Sequence, residues 1–144
     1  MNESRQSSFQ LKDYGKEPLV FNINRMTKMN SNFRTVLWTG EQFQLTLMSI
    51  RPGGEIGIEC HENVDQFIRI ESGTALVKMG DEEGNLCYKR KADRDFAVMI
   101  PAGTWHNIIN IGCCPLKLYS IYAPPKHPCG TVHQTKAIAD ASED

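Results

Sequence analysis

Short apolar or alternating runs, each closed by turn-forming residues, recur along most of the chain. They are LVFNI (19–23), FRTVLWT (33–39), FQLTLMSI (43–50), GIECH (57–61), DQFIRIE (65–71), ALVKM (75–79), LCYKRK (86–91), DFAVMI (95–100), HNIINI (106–111) and LKLYSIYA (116–123). The breaks between them carry Thr39-Gly40, Pro52-Gly53-Gly54, Ser72-Gly73, Pro101-Ala102-Gly103, Cys114-Pro115 and Pro124-Pro125. Such residues fix φ, tolerate left-handed φ or bond their own backbone, and so end strands. GDEEGN, at 80–85, predicts a hairpin loop. About ten short strands at this spacing predict an all-β sandwich or barrel. The first 18 residues are polar and unpatterned and predict an N-terminal arm, followed by a barrel over 19–125 and a tail over 126–144. In that tail IADASED predicts one weak helical turn with a frayed acidic end.

Size and charge narrow the classes. A chain of 144 residues fits one domain with a single core. A net charge of −1 provides no electrostatic case for nucleic acid or an anionic membrane. No apolar run approaches the roughly 20 residues of a membrane span. The opening MNESRQSSFQ lacks an apolar signal region, which predicts a cytoplasmic protein. Five cysteines, Cys60, Cys87, Cys113, Cys114 and Cys129, form no regular framework and predict reduced thiols.

The chemistry lies in polar residues placed where a barrel should be apolar. Alternation along a strand points Glu59 and His61 the same way. It puts Gln66 on one face with Ile68 and Ile70, and His106 with Ile108 and Asn110. If those isoleucines face inward, a carboxylate, two imidazoles and an amide enter the barrel together. A buried carboxylate without a partner costs several kcal/mol, on the order of the desolvation penalty for one ion. Arg69, nearby in sequence, alternates to the opposite face from Gln66. A metal ion held by Glu59, His61, Gln66 and His106 satisfies this arrangement; a hydrogen-bonded polar cluster is the alternative.

The same residues carry a family resemblance. Gly53, five residues, Glu59-Cys60-His61, four residues, Gln66, six residues and Gly73 resemble the first signature of the cupin superfamily, G-x5-H-x-H-x3,4-E-x6-G. PAGTWHNIIN resembles the second, with Pro101, Gly103, His106 and Asn110 in place. The resemblance covers roughly residues 33–136 and is similar to the small single-domain bacterial cupins of the mannose-6-phosphate-isomerase-like group, whose tail APPKHPCGTVHQTK also resembles. It implies an all-β double-stranded β-helix, or jelly-roll, barrel with a divalent metal ion (iron, manganese, zinc or nickel) and pairing into a homodimer. Three positions depart from the pattern. Glu59 replaces a histidine, Gln66 replaces the glutamate, and Asp95 stands where the second signature opens with glycine. The formal charge around the ion is unchanged, because the carboxylate has moved from the fourth position to the first. Two histidines and one carboxylate suit non-haem iron or catalytic zinc with open positions.

Other features are read more plainly. His127, Cys129 and His133 offer a second metal site of weak spacing or a tail packed on the barrel. Trp38 and Trp105 are core, interface or pocket-mouth residues. Of Tyr119 and Tyr122, which face opposite ways on one strand, at most one meets the cavity. Lys89, Arg90 and Lys91 predict a solvated strand edge. The leading functional expectation is a metal-dependent enzyme acting on a small polar molecule, by dioxygenation or by sugar or sugar-phosphate isomerisation. A non-catalytic binding or sensor protein and a structural cupin are the alternatives. No inward cluster of basic residues is evident, which counts against a phosphate substrate.

Overall fold

The computed structural model describes residues 9–142. In chain order the elements are α1 (Ile23–Met29), β1 (Arg34–Thr39), β2 (Gln44–Ile50), β3 (Asp65–Ser72), β4 (Ala75–Gly80), β5 (Tyr88–Ala92), β6 (Ala97–Ile100), β7 (Trp105–Asn110), β8 (Leu116–Ala123), β9 (Val132–His133) and α2 (Lys136–Ser142). The strands form a six-stranded sheet in the order β6-β3-β8-β2-β1-β9 and a three-stranded sheet in the order β5-β4-β7. All pairings are antiparallel. The expected all-β double-stranded β-helix is therefore the observed fold. No helix among the described residues is long and apolar enough to cross a membrane.

Alternation sends Ile68, Ile70, Leu116, Leu118 and Met48 between the sheets, where they meet Val77 and Ile108 of the smaller sheet in one buried cluster. The opposite face of the large sheet is buried as well. Leu37, Leu45, Leu47 and Tyr119 lie beneath Met26 of α1, and Phe9, Leu11, Tyr14 and Phe21 pack over them. Both faces of β1 and β2 are thus covered, which is why these strands read as nearly continuous apolar runs. Burying each such aliphatic side chain contributes about 1.5–3 kcal/mol.

Two expected strands differ from what is seen. LVFNI is not a strand: Val20 is 98% exposed, and helix α1 starts at Ile23. Asn22 caps that helix by accepting the Arg25 N–H at 2.9 Å, and the helix-favouring residues that follow override a β-prone run of only five. GIECH does pair, but as isolated bridges rather than a regular strand, because Gly57 takes φ +105°. The weak C-terminal turn is longer than expected and forms α2, which buries Ala139 against the barrel core. As expected, Lys89, Arg90 and Lys91 are exposed on β5, an edge of the smaller sheet.

The N-terminal segment is fastened by one carboxylate. Asp13 accepts from the Thr39 N–H (3.0 Å), the Thr39 hydroxyl (2.6 Å), the Gly15 N–H (2.9 Å) and the Gly130 N–H (2.9 Å). It therefore joins the arm, the end of β1 and the C-terminal loop. Burial alone would raise its pKa, but these donors hold it below the ordinary 3.8.

Asp95 accounts for one departure from the cupin pattern. Its φ is 75°, in the left-handed region where glycine carries no Cβ penalty, and among the described residues it is the one non-glycine there. Its carboxylate accepts from Arg69 Nη2 at 2.9 Å, a partly exposed contact that offsets some of the strain.

Asp13→Ala should lower stability by about 2 kcal/mol, discounted for partial exposure, in urea unfolding at pH 7. Because the folded pKa is depressed, that contribution is present above pH 3.8 and is lost as pH falls through the folded value. Asp95→Gly should leave stability unchanged or raised, whereas Asp95→Ala should lower it by about 1 kcal/mol in the same assay.

Candidate metal centre

The site forms where the segment 55–61 runs antiparallel beside β7. Glu59 and His106 exchange both backbone hydrogen bonds, Glu59 N–H to His106 C=O at 3.0 Å and His106 N–H to Glu59 C=O at 2.9 Å. Ile56 N–H adds a bond to the Ile108 carbonyl at 2.9 Å. Where Gly57 breaks the ladder, the Asn107 side chain substitutes, accepting the Gly57 N–H at 2.9 Å. These contacts set the carboxylate of position 59 opposite the imidazole of position 106.

A turn fixes the second imidazole. Gly103, at φ 83°, donates its N–H to the His61 carbonyl at 2.9 Å, tying the two signature segments together. Gly73 shows a further reason for glycine in the first signature. A Cβ there would stand 2.9 Å from the Leu116 Cα, as well as facing φ +100°. At the far end of β7 the Asn110 amide donates to the carbonyls of Ile50 (2.8 Å) and Cys114 (2.9 Å) and so locks two loops.

One ligand atom from each of Glu59, His61 and His106 lies within 4.8 Å of the others. Glu59 Oε1 is 3.3 Å from His61 Nε2 and 3.6 Å from His106 Nε2. His106 Nδ1 lies 3.0 Å from the Thr104 carbonyl. A carbonyl only accepts, so Nδ1 carries a proton, and the ring turns its Nε2 toward Glu59. Both Nε2 atoms are buried without a hydrogen-bond partner, and so is Gln66 Oε1. The Gln66 amide is oriented by donating its Nε2 hydrogen to Ser120 Oγ at 2.7 Å, which leaves the oxygen free. Burial pushes the Glu59 carboxyl up, but His106 and His61 outweigh it and hold the group well below the usual range.

Tyr122 is the tyrosine that enters the barrel. Its ring packs edge-on against His61 (5.9 Å) and His127 (5.1 Å). Burial and the Glu59 charge push its hydroxyl up to about 12, despite contacts to Ser120 and Arg34, so it stays a donor at neutral pH. Tyr119 lies on the outer face, and Arg69 pairs there with Glu71 and Asp95. An open cavity of about 460 Å3 reaches the site past Glu59, His61, Glu62, Trp105 and Lys126. Trp105 thus stands at the mouth, while Trp38 packs on Phe43 outside. Cys60 also lines that mouth and lies 3.5 Å from Glu62, and all five cysteines are free.

Sequence reasoning missed Arg34. It is 5% exposed and lines a cavity beside Glu59, a single inward cation that the sequence reading, which looked for a cluster of basic residues, did not single out. Its signal was available: in RTVLWT, Arg34 alternates with the buried Val36. The tail residues also separate. His127 and His133 are buried and Cys129 is exposed. His133 Nδ1 accepts from Arg34 Nη1 at 3.1 Å instead of joining a second ligand cluster.

An antiparallel double-stranded β-helix with a histidine and carboxylate cluster inside defines a class of barrel proteins. The chain belongs to the cupin family: the Cupin domain model matches residues 46–122. Protein YrkC of Bacillus subtilis (strain 168) is 62% identical over 134 residues, covering 93% of this chain and 72% of that protein. Protein L612 of Acanthamoeba polyphaga mimivirus is 41% identical over 114 residues, 78% of this chain and 69% of that one. The crystal structure of BH2720 from Bacillus halodurans superposes with a TM-score of 0.90 at 56% identity, over 90% of this chain and 98% of that chain.

His127 provides a pH test. Burial, then the charges of Arg34 and Lys126, push its imidazole down to about 3. The unfolded chain therefore takes up a proton below about pH 6.5 that the folded chain refuses, and stability falls with pH at about 1.4 kcal/mol per unit. In chelator-treated protein, urea unfolding from pH 6.5 to 5 should lose about 2 kcal/mol less in His127→Gln than in the wild type.

Proposed function

We propose that the barrel holds one divalent metal ion on Glu59, His61 and His106, with Gln66 as a weaker oxygen donor, and that this centre acts on a small polar molecule. The observation that carries this reading is the cluster of Glu59, His61 and His106 ligand atoms, two of them buried nitrogens without a hydrogen-bond partner. His61 Nε2, His106 Nε2 and Gln66 Oε1 have no protein donor, and Glu59 is the one carboxylate beside both rings in the cluster. The ligand atoms of Glu59, His61 and His106 lie within 4.8 Å of one another, and a cation among them supplies what a hydrogen-bonded cluster does not. The ligand types fit a hard or borderline divalent ion with open positions.

When bound, such an ion would supply Lewis acidity to a substrate oxygen. The chain's own residues would do the rest. Thr104 holds the His106 ring in its ligating tautomer. Tyr122, kept protonated, would donate a hydrogen bond within the cavity but would not act as a base near neutral pH. Trp105 and Glu62 flank the entrance by which substrate would reach Glu59 and His61. Oxidation of a small molecule and isomerisation of a sugar or sugar phosphate are the two candidate chemistries, the second resting on the resemblance to mannose-6-phosphate-isomerase-like cupins.

Elemental analysis of protein purified without added metal or chelator should give one transition-metal ion per chain. Glu59→Gln and His106→Gln should each lower metal affinity at least tenfold, whereas Gln66→Leu should lower it less. Full-length folded protein that binds no metal, with a melting temperature unmoved by chelator, would leave only the hydrogen-bonded cluster.

A further inference from the structure

A second cavity of about 200 Å3 also borders Glu59, walled by Arg34, Lys126, His127, Phe33 and Asp140 among others. Neither of the carboxylates that line it pairs with Arg34. Asp140 pairs with Lys136, at 2.8 Å, and Glu59 Oε1 lies 3.3 Å and 3.6 Å from the two imidazoles. Arg34 is buried, and among the described residues no carboxylate lies within ion-pairing distance of it. One guanidinium nitrogen, Nη1, donates to His133, while the buried Nε–H has no partner. A buried guanidinium without a counter-ion is costly, and its fork geometry suits a bidentate oxyanion.

The second basic residue is held in place. The fully buried Gln44 amide accepts the N–H groups of Lys126 (3.1 Å) and His127 (2.9 Å) and donates to the His127 carbonyl (2.8 Å). This clamp sets Lys126 where it lines both cavities. His127 adds a buried ring whose two nitrogens have no partner.

From these observations we infer that Arg34 and Lys126 form a binding subsite for the oxyanion end of a small ligand, a carboxylate or a phosphate, whose other end reaches the Glu59-His61-His106 centre. The subsite deepens the metal-centre reading and rests on it only for the second contact; the anion contact depends on Arg34 and Lys126 alone. A cavity of about 200 Å3 restricts the ligand to a few heavy atoms beyond the oxyanion. The carboxylate and phosphate sources share the same charge-assisted hydrogen bonds and separate by titration.

The test is calorimetric titration of wild-type protein, metal-loaded and chelator-treated, with malonate, with inorganic phosphate and with neutral glycerol. One of the two anions should bind in both forms and glycerol in neither. Lys126→Gln should weaken that binding at least threefold. Arg34→Gln should weaken it more than tenfold, and Arg34→Lys should fall between them. Should Arg34→Gln fail to fold by circular dichroism, Arg34→Lys and Lys126→Gln carry the comparison. Anion binding unaffected by either substitution overturns the inference, as does the absence of anion binding in a protein that holds its metal. Anion binding that persists in protein unable to bind metal supports the subsite while removing the metal reading.

Discussion

The reciprocal pair of backbone hydrogen bonds between Glu59 and His106 governs the site. It is an antiparallel bridge like any other, and its two side chains are therefore neighbours on one face. Because that face is inward, the bridge sets a carboxylate beside an imidazole within the barrel. His61 joins them through the turn at Gly103, so the third member of the cluster depends on a loop rather than on the ladder.

Around that bridge the fold uses its hydrophobic residues twice. The space between the sheets is filled by aliphatic side chains that leave one polar end, and the outer face of the large sheet is sealed by α1 and the segment before it. The second cluster makes the first possible in a chain of 144 residues, since both faces of β1 and β2 are removed from water. The rigid wall that results carries Arg34 on its inner side and Leu37, Leu45 and Leu47 on its outer side.

Much of this was legible in the sequence. Eight of the longer runs became strands because their alternation and punctuation agreed with the sheet that buries them. Glu59, His61 and His106 were singled out by strand alternation together with the two signature resemblances, and the structure brings their ligand atoms together. Helix α1 was hidden because its stability comes from the Asn22 cap and the burial of Met26, neither of which shows as strong periodicity over seven residues. Arg34 escaped because a charged residue at the start of a strand reads as solvated until its partners, His133 and the tail, are known to come from the other end of the chain. The alternation with Val36 hinted at its face, but its pairing with residue 133 spans 99 positions of chain.

Gln44 extends this point beyond the two signatures. It belongs to neither, yet its single amide holds the backbone at Lys126 and His127 and also donates to the Thr39 hydroxyl at 3.0 Å. A relative could keep every signature residue, lose this amide, and present a differently shaped chamber behind the same ligands. Kinship in what these barrels recognise should therefore be traced through the residue at this strand position, and not only through the histidines.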